Sequence, residues 1–268
     1  MYRALGAAII GVTVGTATAL AQSAVVPPDL VKELAPTGTL RAAINAGNVV
    51  LVQKDAAGGE PRGITVDLAR ELGRRLGVPV DLVVYETAGK VTDAVKSAAW
   101  DVCFLAIEPA RAAVIGFTAP YVIIEGTYMV GADSPLKSIA DVDRDGVRIA
   151  VARGSAYDLY LSRQLQHATL VRYPSPPLAM QSFLADKLDA AAGVKQQLLQ
   201  VAKGNPNLRV MDGRFQEIRE AMGTPLGRDA GLKYLRAFVE EMKASGFVKK
   251  GLERAGQADA VVAPPAEN

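Results

Sequence analysis

At 268 residues, with 50% hydrophobic and 22% charged side chains, the chain has material for two small cores and lacks the composition of a disordered protein. Thirty basic residues against 28 acidic ones leave a net charge of +2 with no basic block, which argues against nucleic acid as a partner. The single cysteine, Cys103, excludes an internal disulfide, and the single histidine, His167, has no cysteine, acid or second histidine at metal-ligand spacing, so neither a metal nor a cofactor is expected.

Residues 1–21 combine one positive charge at Arg3, an apolar run from Ala4 to Leu20 and the small-x-small triplet Ala19-Leu20-Ala21, which reads as a secretory signal cut before Gln22. A membrane anchor is the alternative. The run is about 17 residues, at the short edge of what spans a bilayer, and Thr13, Thr16 and Thr18 interrupt it. A soluble, exported chain is therefore expected, and with no cysteine after the cleavage point a lipid anchor is not.

Gln22 to Thr37, small and Pro-containing, reads as a leader onto the fold. Gly38 to Ile44 is the first strand, ending at Asn45-Ala46-Gly47-Asn48, whose polar residues would face a cleft. Val49 to Val52 extends this region, and Ala57 to Pro61 makes a turn. From Gly63-Ile64-Thr65-Val66-Asp67-Leu68 onward the period becomes helical: Leu68, Leu72 and Leu76 fall four apart, Arg70, Glu71, Arg74 and Arg75 take the wet face, and Gly77 ends the helix. Val80 to Tyr85 is a strand and Lys90 to Ala98 a helix.

Asp101 to Ile107 is a nearly unbroken apolar run headed by one acid, the pattern of a strand buried on both faces, with Cys103 in an inert packing role. Glu108-Pro109 stops it. Pro109 suits a first helical position, and the short helix that follows sets Arg111 at the carboxyl end of a buried strand, beside Ala106. Open α/β sheets bind small ligands there, and a planar five-donor guanidinium suits a carboxylate. The plain alternative is a solvated helix arginine.

Val122 to Val130 is extended, and after a surface connection the α/β rhythm restarts. Strands are predicted at Val147–Ala152, Thr169–Arg172 and Leu188–Ala192, with helices at Ser155–Gln166, Pro177–Ala185 and Lys195–Lys203. Leu208 to Met211 closes this half. Phe215 to Ala221 crosses back, the helix Asp229–Ala244 packs through Leu232, Leu235, Val239 and Met242, Gly246 stops it, and the tail beyond Gly256 is expected to be loose. Gly154-Ser155-Ala156-Tyr157 follows a strand and opens a helix, so its free N–H groups make an anion site, with plain capping by Ser155 as the ordinary alternative. Tyr121 and Tyr157 are candidate cleft walls, although tyrosines at such positions are as often core. His167 reads as a helix-end residue and Asp189 as a turn acid. No G-x-S-x-G, H-E-x-x-H or P-loop is present, so those hydrolytic chemistries lack their parts and no catalytic residue is assigned.

The order Asp101-Val102, Pro109-Ala110-Arg111, Phe117 to Tyr121, together with Gly63 to Leu72, resembles the family 3 periplasmic solute-binding proteins from about Gly38 to Gly256. Thr65 departs from the family's acid-rich opening. The resemblance implies an α/β, two-lobed type II periplasmic-binding-protein fold with two crossovers. Lobe 1 would take residues 38–125, lobe 2 residues 126–216, the return to lobe 1 residues 217–256, and a flexible tail residues 257–268. It implies a monomeric, periplasmic component of an ABC importer that delivers a small carboxylate-bearing solute to a membrane permease. Arg111 would grip that carboxylate from a cleft-exposed position, adding affinity and little core, and the helix start at Ser155 would hold it from the other lobe. An acid that pairs with a ligand ammonium in amino-acid-binding members falls at Val194, which cannot do so. An ammonium would then need Glu108, Glu125 or Glu217, a second anionic group would suit Lys195, and a simple carboxylate is expected to bind better than an amino acid of the same size. An exported cyclohexadienyl dehydratase-like enzyme, using one of those three glutamates as general acid, is the second reading, and a ligand-sensing subunit of a membrane receptor is the third.

Overall fold

The computed structural model describes residues 26–54 and 58–267, so the segment read as a signal lies outside the described residues. In chain order the elements are α1 (Pro28–Leu34), β1 (Leu40–Asn45), α2 (Ile64–Leu76), β2 (Val80–Tyr85), α3 (Ala88–Asp93), β3 (Val102–Ala106), α4 (Pro109–Ala112) and β4 (Ile115–Gly131). They continue with β5 (Arg148–Ala152), α5 (Ala156–Gln164), β6 (Thr169–Tyr173), α6 (Pro176–Ala185), β7 (Ala190–Val194), α7 (Lys195–Lys203) and β8 (Leu208–Val210). Last come β9 (Gln216–Pro225), α8 (Asp229–Ala244), α9 (Phe247–Arg254) and β10 (Val261–Val262).

The strands run β2-β1-β3-β9-β4-β7-β5-β6 in one mixed sheet, with β8 and β10 attached to β4. β1 pairs in parallel with β2 and β3, and β5 pairs in parallel with β6 and β7, so each end of the sheet is a separate α/β lobe. Between them β4 and β9 lie antiparallel and carry the chain from one lobe to the other. At 17 residues β4 is about 56 Å long, enough to belong to both lobes. Its ladder with β9 shifts register around Pro120, where the ring nitrogen has no hydrogen to donate.

Burial on both faces explains the apolar runs. Along β3, Val102, Phe104 and Ala106 point into the main core, while Cys103 and Leu105 point into a second one around Trp100 and Val91. Asp101, fully buried at the head of this run, is held by Arg41 through contacts of 2.9 and 2.8 Å and by Arg228 at 3.1 Å. The acid therefore ties β1 and the approach to α8 to the start of β3. α2 ends as expected at Gly77, which takes a left-handed φ of 68° that a side chain would strain.

Three features, α1, α9 and β10, differ from the sequence reading. Within the supposed leader, α1 forms because Leu34 packs against α8 at Gly231, whose N–H donates to Glu33 at 2.7 Å. Val49 to Val52, read as continuing this region, does so as a turn closed by the Val52 N–H on the Asn48 carbonyl at 2.9 Å. α9 restarts after Gly246 and buries Val248 and Leu252, a short amphipathic stretch without a strong start signal. The tail expected to be loose instead contributes β10, which pairs with β4 at Val122 and Ile123, because that length of β4 has β9 on one side and an open edge on the other. Ala260 and Ala263 are buried beside it, and the Ala263 N–H donates to the Tyr121 carbonyl at 3.1 Å.

Deleting residues 258–268 removes those ladder bonds, each contributing about 0.5–1.5 kcal/mol. Denaturant titration should show a loss of about 1–3 kcal/mol, and amide hydrogen exchange should accelerate at residues 121–124 more than elsewhere in β4.

Candidate functional site

The carboxyl ends of β1, β3, β5 and β7 converge between the lobes, where the loops after them and the first turns of α5 and α6 enclose an empty volume of ≈ 490 Å³, its open mouth included. Asn45, Asn48, Ala106, Arg111, Ser155, Ala156, Tyr157 and Val194 all line this space. Tyr121 does not. It is fully buried in lobe 1, edge-on to Phe104 at 6.3 Å between ring centroids, with its hydroxyl 3.4 Å from the Thr65 hydroxyl. The position at which the sequence departs from the acid-rich pattern is thus a buried threonine facing a core tyrosine.

Arg111 is neither a solvated helix residue nor an exposed cleft cation: it is 1% exposed. The strand end and the one-turn helix α4 direct the guanidinium back under the chain, where one terminal nitrogen donates to the Ala106 carbonyl and the other to the Gly154 carbonyl across the cleft, both at 2.9 Å. Its Nε is buried without a partner. Burial pushes the Arg111 pKa below its usual range, against the pull of the Glu220 and Glu108 carboxylates. Gly154 permits the approach: its φ is 71°, and a Cβ there would lie 3.0 Å from the Gly89 Cα of the opposite lobe.

On the lobe 2 side, the Ser155 hydroxyl caps α5 by accepting the Asp158 N–H at 3.0 Å, while the Asp158 carboxylate takes the Gly154 N–H at 2.8 Å and Arg172 Nε at 2.8 Å. The Ser155 N–H is used by the Ala152 carbonyl. The amides of Ala156 and Tyr157 remain as first-turn donors that a helix cannot satisfy internally. The Tyr157 hydroxyl is buried, with the Ser155 side chain and the Ala152 backbone near it but in no well-formed hydrogen bond, and burial pushes the phenol up to about 12.

The acids named from sequence lie elsewhere. Glu108 is buried and takes Arg163 of α5 at 2.6 Å and Gln216 of β9 at 2.8 Å, a link between lobes rather than a cavity group. Glu125 pairs with Lys195 at 2.7 Å and Arg214 at 2.9 Å, which also occupies the lysine proposed for a second anion, and Glu217 pairs with Arg214 on the surface. Asp189 is half-exposed at the start of β7 and accepts the Arg148 N–H. His167 is exposed three residues beyond the end of α5, 3.4 Å from Asp145.

The acid that does line the cavity is Glu220, which the sequence reading passed over. It is 5% exposed, and Asn48 Nδ2 donates to it at 3.0 Å, leaving Asn48 Oδ1 buried without a donor. Burial pushes its carboxyl up to about 7, opposed by the Arg111 charge and the Asn48 hydrogen bond. A signal was present. Burial alternates along β9, with Gln216, Ile218 and Glu220 inward and Glu217 and Arg219 outward, so parity alone sets Glu220 on the apolar face. Thr87, Gln197 and Ile218 were likewise missed as lining residues.

Two α/β lobes joined by two strands, with a small cavity of opposed polar groups at the strand ends, define a solute-capturing protein. Residues 40–257 match the bacterial extracellular solute-binding proteins, family 3, and the chain belongs to that family. Among curated relatives it is 24% identical over 196 residues to the L-cystine-binding protein TcyJ of Escherichia coli (strain K12), covering 71% of this chain and 73% of the relative. A mutant of ArgBP from T. maritima superposes with a TM-score of 0.73 at 23% identity, over 85% of this chain and 99% of that one. The ancestral amino acid-binding protein AncCDT-1, a precursor of cyclohexadienyl dehydratase, gives 0.70 at 24% identity, over 84% and 98%. These likenesses show the two-lobed fold.

The buried guanidinium makes Arg111 structural as well as chemical. Arg111→Ala leaves the Ala106 and Gly154 carbonyls without their donor, and each unsatisfied group costs about 1–3 kcal/mol. Urea denaturation of the ligand-free variant should show a loss of at least about 1 kcal/mol. Unchanged stability would mean that the guanidinium is not held as described.

Proposed function

We propose that the chain is the extracytoplasmic substrate-binding component of an ABC importer and that it captures a small carboxylate-bearing solute of the amino-acid class between its lobes. Membership of the extracellular solute-binding family supports the transport role, and the relatives' amino-acid ligands support the class. The observation that carries the reading is that Arg111, whose Nε is a buried donor without an acceptor, lines the cavity together with Tyr157 and the first-turn amides of α5. Buried donors without acceptors are costly, and a carboxylate would satisfy them from both lobes at once. A ligand so placed favours the closed arrangement because its contacts are complete only there. On this reading the protein is a periplasmic monomer that works with a membrane permease, has no cofactor and is not an enzyme.

Calorimetric titration against a panel of amino acids and small organic acids tests the reading. At least one should bind, and Arg111→Lys should weaken it by roughly ten- to a hundredfold, the worth of a charge-assisted hydrogen bond of about 1.5–3 kcal/mol. A panel without a binder, or a variant of unchanged affinity, would sink it.

One observation favours a second reading. A carboxyl near neutral pKa beside an arginine is suited to proton donation, so Glu220 would be the general acid of a dehydratase-like enzyme. Turnover of prephenate or arogenate by the purified protein, lost in Glu220→Gln, would establish that reading in place of the binding role.

A further inference from the structure

Glu108 stands immediately before the first turn of α4, where a side-chain oxygen can accept the free N–H groups of the helix. It makes no such bond. Its two carboxylate oxygens reach out of the helix instead: one takes Nη2 of Arg163 on α5 at 2.6 Å, and the other takes Nε2 of Gln216, the first residue of β9, at 2.8 Å. The carboxylate is only 3% exposed, so its water has been replaced by partners from the lobe 2 helix and the return strand. Arg163 is steadied on its own helix, since Nη1 donates to the Leu159 carbonyl one turn back at 2.7 Å.

None of Glu108, Arg163 and Gln216 lines the cavity. Arg163 lies seven residues beyond Ala156 on α5, about 10 Å along the helix axis. One helix thus offers its first turn to the cavity and its last turn to Glu108. At the cavity end the lobes also meet through Arg111 on the Gly154 carbonyl and where Gly89 faces Gly154. The contact between the lobes therefore has two ends, and protein groups make both.

We infer that Glu108, Arg163 and Gln216 form a latch that sets the balance between open and closed forms from outside the cavity, so that Arg163 governs how tightly solutes are held without touching them. The latch itself stands on the contacts between lobes. Only its effect on affinity rests on the solute-binding reading above.

The chemistry separates a latch from an ordinary ion pair. In Arg163→Ala the closed form keeps a buried carboxylate with one neutral partner, whereas the open form returns that carboxylate to water. The substitution therefore acts against closure, and each lobe retains its own core. Removing the charge as well, by combining Glu108→Gln with Arg163→Ala, relieves the penalty, because a neutral amide is far less costly to desolvate and can still meet the Gln216 side chain. Affinity falls in proportion to the closed population, and equally for every solute that needs closure.

Small-angle scattering of the ligand-free protein reads closure directly. Arg163→Ala should show a larger radius of gyration than wild type at a urea midpoint close to that of wild type, and the double variant and Arg163→Lys should both return toward the wild-type curve. Calorimetric titration with the standard amino acids as probes should show every one that binds weakened at least about tenfold in Arg163→Ala, with their order of affinity unchanged. Scattering curves identical in wild type and Arg163→Ala overturn the latch and leave the solute-binding reading standing. A urea midpoint that falls in Arg163→Ala and is not restored by Glu108→Gln marks a structural ion pair and also overturns it. Loss of affinity confined to one amino acid would assign Arg163 to recognition instead. A panel without a binder sinks the solute-binding reading, and the scattering curves then decide the latch alone.

Discussion

The structure depends on the burial of one guanidinium. Arg111 sits where a buried strand ends, and desolvating its charge is tolerable only because carbonyl oxygens from both lobes, at Ala106 and Gly154, accept its hydrogens. The one-turn helix α4, the left-handed Gly154 and the close approach of Gly89 are all conditions for that arrangement. The same contacts hold the lobes together, while Nε stays buried without a partner.

Around that contact the lobes are joined by few polar links and two long strands. Glu108 reaches Arg163 across the cleft and Gln216 on the return strand, while β4 and β9 run through without a break in the chain. β10 seals the open edge of β4 close to where it passes between lobes. Rotation of one lobe against the other would act on these links first, since each lobe keeps its own parallel strands and helices.

The cavity lining brings donors and acceptors together from residues that lie far apart in the chain. Asn48 belongs to the turn after the first strand, Arg111 to the middle of the chain, Tyr157 to lobe 2 and Glu220 to the return strand. Likeness below 25% identity to ArgBP and AncCDT-1 shows a shared fold and does not name a ligand.

The sequence by itself determined the two α/β halves, because periodicity and burial on both faces of β3, β5 and β7 are local consequences of residue type. It likewise placed Arg111 and Ser155 at strand and helix ends, where Pro109 and the capping serine mark the boundaries. It did not reveal α1, α9 or β10, short elements that exist because Leu34, Leu252 and Val262 find surfaces made by distant segments. Nor did it single out Glu220 from Glu108, Glu125 and Glu217. All four are acids near a strand end or crossover, and only the folded chain decided that three meet arginine or lysine partners while the fourth meets Asn48 in the cavity lining. Charge pairing is a property of three-dimensional neighbours, and those neighbours are set by the packing of the two lobes.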